Sequence, residues 1–518
     1  MNQQETLALW KQGKESWNSW ALKMLAERQQ LEDTGKWYLE EAEAGHRVGG
    51  NQFTREWLGR ARAIFSTSSN PLHSAHNPDF ISVEFPGDVI FDNAQFNGAV
   101  NFSHANIHGS ASFRNAIFTG ESTFSDVTFS GNGLFENAAF NENTRFEGAI
   151  FRRNAIFRKT KFRCYAASFK SCHFKWSANF DESTFQNNAF FGNAVFEGTA
   201  IFNAASIGGL SSFRSAEFFS SSTFHETKFH GPSGFGLCQF HKHAFFSHAD
   251  FCGTATFRLS SFHADVHFES TTFSKPANFS ETFFGESTSF YSAQVHQSLD
   301  LTKSEFLYVP DFRQMHCSEA PLFDEIIIKH GKYKKIKKPP FESTASQLSI
   351  SAKYRALKRL AIQGHDHKHE VEFFAEELRS KRLMIYKPTD PNWWLSHCFE
   401  NLSNYGQSIV VPLLWWLLTV AVSALMYIAT TTPLDALRSN RCVEGAGSQI
   451  NSAYQLAFSK GLLIPSLSDR TIITQAYNCL YGDIVPGIVS VISGIQSLAS
   501  TILIFLFILG LRNRFKLK

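Results

Sequence analysis

A phenylalanine recurs at alternating intervals of five and six residues from Phe85 to Phe312. The series opens with Phe85, Phe91, Phe96 and Phe102, and 38 of its 42 positions are Phe. The other four positions are Ile107, Ile207, Val295 and Leu301. Buried positions recur every 3.6 residues or so in a helix and every 2 in a strand, so neither element alone explains the pattern. A fixed short period over this length predicts a solenoid.

The alternating interval predicts a chain that turns a corner after each short face and points one large side chain inward from each face. A small residue stands two positions before nearly every member, as Ala94 does before Phe96. Two intervals of five and two of six give four-sided coils of about 22 residues, which predicts ten to eleven coils. At the ordinary strand spacing of roughly 4.8 Å, the rod would be about 50 Å long.

Repeated units such as AQFNG, AIFTG, AVFEG and ADFCG carry a resemblance to a known family. The chain resembles the pentapeptide-repeat proteins, whose unit is a small residue, a variable residue, a central Leu or Phe and two more variable residues. The resemblance covers roughly Phe80 to Phe312. It implies a mainly β fold, a right-handed quadrilateral β-helix, and it implies no activity.

The N-terminal segment predicts helices that cover the first coil. Trp10, Trp17, Trp20 and Met24 fall on one face at helical spacing. An open end would expose strand edges and Phe rings, so a cap is expected, with a partner or membrane-surface site as the alternative. The first residues lack the features of a secretory signal, so we expect the N-terminus and the β-helix to stay in the cytoplasm.

Two uncharged stretches, 409–429 and 488–511, are long enough to span a bilayer. Basic residues flank both on the side of the N- and C-termini, as in the tail that begins at Arg512. The positive-inside rule therefore places both termini in the cytoplasm. We expect a multi-pass protein of a bacterial-type inner (cytoplasmic) membrane, with the bilayer as its first partner.

These features divide the chain into eight segments. They are a helical cap (1–64), the β-helix (80–323), a basic linker (324–350), juxtamembrane helices (351–408), the first span (409–429), an extracytoplasmic loop (430–487), the second span (488–511) and a basic cytoplasmic tail (512–518). The lysines of the linker could contact anionic headgroups or simply be solvated.

The loop between the spans contains two features that bear on function. Its only cysteines, Cys442 and Cys479, would face an oxidising compartment, which predicts a disulfide, with two free thiols as the alternative. Its end, NCLYGDIVP, resembles the filter of potassium channels at Tyr481, Gly482 and Asp483. It departs from that pattern at Asn478 and Leu480, where the filter has Thr and Gly.

Small residues on the second span predict a close helix contact. Gly494 and Ser497 lie on one face, and Gln496 belongs to the same segment. Small residues let helices approach in lipid, so we expect contact with the first span or, in a homo-oligomer, with another copy. Gln496 should face protein, because an unpaired amide in hydrocarbon is costly.

An interaction patch is predicted in the middle of the repeat, where the step from Phe162 to Phe169 is seven residues instead of six. Around this insertion lies a basic belt whose candidate residues are Arg152, Arg153, Arg158, Lys159, Lys161 and Arg163. A bulge beside concentrated charge could meet an acidic protein, anionic lipid or nucleic acid. The alternative is a solvated basic surface.

Histidines are the remaining candidates for chemistry. His241 should lie below His263 in the next coil, and His365 and His369 are spaced as on one helix face. Neither pair brings the third ligand that zinc needs, so we expect polar surface and no metal or other cofactor.

The sequence predicts a non-catalytic scaffold that presents a rigid rod to an unknown protein partner at the membrane. No nucleotide loop, nucleophile motif or paired catalytic carboxylates are present in the sequence. The first alternative is a channel-like or transport-associated subunit built on the two spans and their loop. The second is a DNA mimic directed at a topoisomerase, although the basic belt and the tether make a nucleic-acid role unexpected.

Overall fold

The computed structural model describes residues 1–41, 47–74, 78–329, 344–431, 445–462, 470–482 and 485–515. The chain folds into two compact units, Met1–Pro340 and Phe341–Lys518. Most of the predicted basic linker, and the last three residues of the basic tail, lie outside the described residues.

The first unit is a solenoid of about twelve turns whose short strands form four parallel sheets, here called faces A to D in chain order. The outermost strands are Ala63–Ser66 and Thr288–Ser289 on face A, His73–Ser74 and His316–Cys317 on face B, Val100–Asn101 and Leu299–Asp300 on face C, and Glu84–Phe85 and Ile327–Ile328 on face D. Paired residues are typically 22 apart, as Ala111 and Gly133 are. The quadrilateral β-helix is confirmed.

The β-helix extends beyond both predicted ends, 80 and 323. Phe65 is fully buried and stacks on Phe91, with ring centroids 4.6 Å apart, so the first coil begins at Ala63. The sequence pattern missed this coil because Phe65 and Phe80 are fifteen residues apart, an interval that does not fit the repeat. At the other end, the last strand is Ile327–Ile328.

The alternation of five and six residues reflects two kinds of corner. The corners after faces A and C contain a residue with positive φ two positions after the central one, such as Asn93 (φ 59°) or Asn115 (φ 56°). These tighter corners account for the five-residue intervals. Leu237 (φ 62°) occupies the same place, although side chains rarely adopt this conformation.

The central Phe rings form ladders along the axis. Phe191 stacks on Phe169 and Phe213 at 5.0 and 4.8 Å, and meets Phe180 and Phe202 edge to face at 5.3 and 5.2 Å. Both geometries are favourable for aromatic rings. The core is therefore a continuous column in which each ring supports rings above, below and across the axis.

At some small positions, a hydroxyl or thiol also satisfies a backbone carbonyl. Thr160 donates its hydroxyl to the carbonyl of Phe135, and Thr227 donates to that of Phe202. The Cys238 thiol lies 2.9 Å from the Phe213 carbonyl, and burial raises its pKa well above the ordinary range. This cysteine is part of the core and is not a reactive thiol.

The N-terminal cap consists of α1 (Gln3–Trp10), α2 (Lys14–Asp33), α3 (Gln52–Ala61) and a hairpin of β1 (Leu39–Glu41) and β2 (Arg47–Gly49). Trp10 stacks on Phe80 at 4.6 Å, and Trp17 packs against Phe65 and donates its indole N–H to the Glu84 carbonyl. The cap thus covers exposed rings and occupies backbone groups that an open end would leave unpaired.

The second unit is helical. Its helices are α4 (Thr344–Gln363), α5 (His367–Met384), α6 (Pro391–Ser403), α7 (Val410–Ala429), α8 (Gly445–Gly461), α9 (Arg470–Tyr481) and α10 (Gly487–Phe515). The first two form a hairpin that buries Tyr354, Leu357 and Phe373.

A buried carboxylate holds this hairpin together. Glu377 of α5 accepts bonds from Arg355 at 3.1 Å, Lys358 at 2.8 Å and Lys381 at 2.7 Å. Burial alone would raise its pKa, but the bonds from the two lysines outweigh burial and lower the pKa to about 2. The ionised Glu377 and its cations therefore stabilise the hairpin at pH values above 4.5, the ordinary pKa of a glutamate. This contribution is lost as the pH falls from 4.5 towards 2.

Replacing Glu377 with Gln should reduce the stability of the α4–α5 hairpin at neutral pH by about 3 kcal/mol, because three cations lose their partner. The variant should also lose the pH dependence between 4.5 and 2. Hydrogen exchange of the hairpin amides measures both effects, with Glu372→Gln on the same helix as the control. Equal protection of the two variants at neutral pH would contradict this account.

Candidate functional sites

The helices α7 and α10 expose much of their apolar surface, and they bury both apolar and polar side chains inside the bundle. The most apolar stretches of α7 and α10 have mean hydropathies of 2.0 and 2.1. Only 28% and 22% of the residues in those stretches are buried. Leu414, Leu425 and Ile495 point outward and are more than half exposed. These two helices are long and apolar enough to cross a membrane.

A hydrogen-bonded cluster occupies the inside of this bundle. Gln496 of α10 is 3% exposed; its carbonyl oxygen accepts from the Tyr427 hydroxyl at 2.8 Å. Its amide donates to the Ala457 carbonyl of α8 at 2.5 Å. One side chain therefore links α7, α8 and α10.

The segment predicted as an extracytoplasmic loop contains helices that pack among the apolar ones. The Trp416 indole donates to the carbonyl of Gly461, the last residue of α8, at 3.0 Å. A side chain at Gly461 would come within 3.2 Å of Val420, near the middle of α7. The described part of this segment therefore packs into the bundle, and α8 reaches halfway along α7.

This arrangement changes the expected packing of the small residues on α10. Gly494 is exposed, and a Cβ built there meets nothing within 4 Å. Ser497 donates to the Lys460 carbonyl of α8 at 3.2 Å. The expected contact of Gly494 with the first span is thus not made, because α8 packs beside α7 and α10. Contact between copies stays a prediction.

The filter-like residues are not arranged as a filter. Asn478 to Tyr481 form the last turn of α9, and Gly482 follows in a turn with φ 67°. The Tyr481 hydroxyl donates to the Tyr427 carbonyl at 2.8 Å. Helical carbonyls point along their own helix, so they cannot form the ring of oxygens that a carbonyl filter needs. Asp483 lies outside the described residues.

Among the six cations of the basic belt, Arg158 and Lys159 are paired with acids of neighbouring coils. Arg158 contacts Glu182 at 2.9 Å and Glu136 at 3.5 Å, and Lys159 contacts Glu182 at 3.5 Å. The Arg153 guanidinium is buried and lies 4.2 Å from the centre of the Trp176 ring. The belt also surrounds the rod, so its residues do not form one patch.

One part of the belt does form a compact exposed surface, which we call the belt bulge: Lys161, Arg163 and Tyr165. The inserted residue shifts the register here to 23, with Thr144 opposite Ala167, and leaves Tyr165 74% exposed. Lys161 and Arg163 are exposed beside it on face B and have no ion-pair partner among the residues described. Arg152 is likewise exposed but lies on face D.

Comparison with known families agrees with the β-helix. A model described as "Pentapeptide repeats (9 copies)" matches residues 91–137, 169–217 and 224–272, all within the four-sided coils. The β-helix is therefore built of pentapeptide repeats. No curated protein and no solved structure matches this chain. The family assignment therefore establishes the fold of the rod and leaves the partner to be argued from its surface.

Of the histidines considered as ligands, His241 and His263 lie on the rod, whereas His369 in the helical unit is buried. The His241 ring stacks on that of His263, with centroids 5.3 Å apart. His369 bonds to Asp366 at 2.6 Å, beside His365 in the turn between α4 and α5. Within the described part of the chain, no cluster of three or more His, Cys, Asp or Glu could hold a metal ion.

The predicted disulfide can be examined at one end only. Cys479 lies in α9 and is disulfide-bonded. Its predicted partner, Cys442, lies outside the described residues, so the pairing stays a prediction. In the β-helix, the cysteines Cys164, Cys172, Cys238 and Cys252 are free thiols.

Proposed function

We propose that this protein is a membrane-anchored, non-catalytic scaffold that presents its β-helix in the cytoplasm to an acidic protein partner. The anchor is the α7–α10 bundle in a bacterial-type inner membrane, with both termini in the cytoplasm. The rod supplies a rigid surface, because every coil is fixed by the Phe column and by hydrogen bonds to its neighbours.

The observation that carries the anchor is the large exposed apolar surface of α7 and α10, which surrounds a buried, hydrogen-bonded amide. Ile495 and Leu498 of α10 are exposed, whereas Gln496 between them is buried and hydrogen-bonded. A helix in water would gain stability from the opposite arrangement. In hydrocarbon the exposed side chains contact lipid, and the amide finds its partners inside the protein.

The belt bulge is the surface that best fits a protein partner. Tyr165 offers a large aromatic side chain, and Lys161 and Arg163 beside it attract acidic groups. Tyr and Arg are enriched among residues that dominate interface energies. The belt cations Arg158 and Lys159 are already paired with Glu182 of the adjacent coil, which favours an acidic protein partner at the belt bulge over nucleic acid.

Site-specific crosslinking in intact cells tests this proposal. A photoreactive residue at Tyr165 should give a discrete crosslinked protein, and Arg163→Glu should abolish that product. The same residue at Lys228, also exposed on face B, should not give it. Identical products from both positions, or none from Tyr165, would contradict a partner at the belt bulge.

A further inference from the structure

We infer that α6 lies in the membrane surface, with its apolar side covered by the boundary between lipid headgroups and acyl chains. This inference rests on the proposed anchoring of α7 and α10 and adds a helix that is too short to span. At 13 residues, α6 is about 20 Å long, whereas a span needs about 20 residues.

The uncovered side of α6 is apolar. Trp394 is 56% exposed, Leu395 is 68% exposed, and Cys398 is exposed one turn further along the same side. The opposite side carries Ser396 and Ser403, which are buried against the rest of the unit. Such a helix lies in the plane of a membrane interface and buries its apolar face by about 5–10 Å.

Contacts within the unit fix this orientation. The Trp394 indole donates to the Pro388 carbonyl at 3.0 Å, and Glu400 on the other side pairs with Arg379 and Arg382 of α5. Rotating α6 to bury Leu395 would break these bonds. The apolar side therefore stays outward and needs a cover from outside the unit.

The membrane-facing surface of α7 continues directly into this side of α6. Trp415, in the second turn of α7, donates to the Asn401 carbonyl of α6 at 3.2 Å. In the turn that follows α6, the Gly406 carbonyl accepts from the Asn513 amide near the end of α10 at 3.0 Å. The helix thus sits where α7 begins and α10 ends, at the depth where Trp side chains concentrate in membranes.

The attraction is mainly apolar. Arg379 and Arg382, the arginines packed against α6, already pair with Glu400, while Lys387 is exposed before the helix. Anionic headgroups therefore add little, and neutral lipids should be sufficient. The occupant we assign is the interface of the bilayer that holds α7, in contrast to a second copy or another protein.

Depth-dependent quenching in the reconstituted full chain tests this assignment. Single cysteines at Leu395, Leu414 and Leu210, in a chain with Cys252→Ser and Cys398→Ser, are labelled with an environment-sensitive fluorophore in phosphatidylcholine vesicles. Leu414 reports on the span and Leu210, an exposed leucine of the rod, reports on water. Nitroxides near the headgroup or deep in the acyl chain, and aqueous iodide, serve as quenchers.

We expect the Leu395 label to be quenched most by the headgroup nitroxide and several-fold less by iodide than the Leu210 label. The Leu414 label should be quenched by the acyl-chain nitroxide. If iodide quenches the Leu395 label as much as the Leu210 label while the Leu414 label lies in lipid, the inference about α6 is overturned and the membrane anchor is not. Protection of Leu395 from iodide without nitroxide quenching would mean that protein covers α6, which also overturns it. Leu395 and Leu414 both in water would overturn the membrane anchor as well.

Discussion

Replacing Phe191 with Ala should lower the free energy of unfolding by about 3–5 kcal/mol, because it removes a ring from the middle of a closely packed core. Phe191 stacks on Phe169 and Phe213 and meets Phe180 and Phe202 edge to face. These rings belong to three successive coils, so the cavity weakens the column above and below. Urea unfolding of the full chain in detergent, followed by circular dichroism of the strands, measures the loss.

The neighbouring residue provides a matched control. Phe190 is partly exposed on face C, where the Lys170 ammonium lies 4.9 Å from its ring centre. Phe190→Ala should cost much less than Phe191→Ala, because it opens no cavity in the core. Ala189→Leu should cost about 1–3 kcal/mol, since a larger side chain overfills the small position. Similar losses for Phe190 and Phe191 would contradict the assigned inward and outward positions.

Replacing Trp17 with Ala should destabilise the cap and first coil by about 3–5 kcal/mol. Trp17 is fully buried, packs against Phe65 and Phe85, and donates its indole N–H to the Glu84 carbonyl at 2.9 Å. Its loss leaves a cavity and an unpaired carbonyl. Hydrogen exchange of the amides of the first coils should rise strongly, while that of mid-rod coils near Phe191 should change little, because a solenoid contacts only its neighbours.

The control for the cap is Leu22, an exposed residue of the same helix. Leu22→Ala should leave exchange of the first coils near that of the wild type. If the amides of the first coils exchanged equally fast in the Trp17→Ala and Leu22→Ala variants, the cap would not stabilise the rod through Trp17.

The Phe interval alone was sufficient to predict the β-helix, because one inward residue per face is the only arrangement that suits steps of five and six. It could not reveal the coil that contains Phe65, since the chain before Phe80 does not keep the interval. It could not assign positive φ to Leu237 either, because leucine gives no sign of that conformation.

The helical unit was harder to predict, because tertiary packing there is not periodic in sequence. Uninterrupted apolar stretches predicted α7 to within one residue at each end; they also predicted the start of α10, which continues four residues past the predicted end to Phe515. The place of α8 depends on contacts between distant residues, such as Trp416 with Gly461. The small residues Gly494 and Ser497 predicted that α10 contacts the first span there, but in the structure Ser497 contacts α8 instead. The basic belt was also only partly predictable. The insertion between Phe162 and Phe169 indicated where the bulge lies, but only the structure shows that Tyr165 is exposed there.

Protease protection of membrane vesicles tests the central claim, a cytoplasmic rod anchored by two spans, most directly. Tags are placed before Met1 and after Lys518, and digestion is followed in closed right-side-out vesicles. A parallel sample of the membranes is washed with alkaline carbonate. We predict that the chain stays in the membrane after the wash, and that both tags resist protease until the vesicles are opened. Release of the chain by carbonate, or digestion of either tag in closed vesicles, would contradict the anchored scaffold.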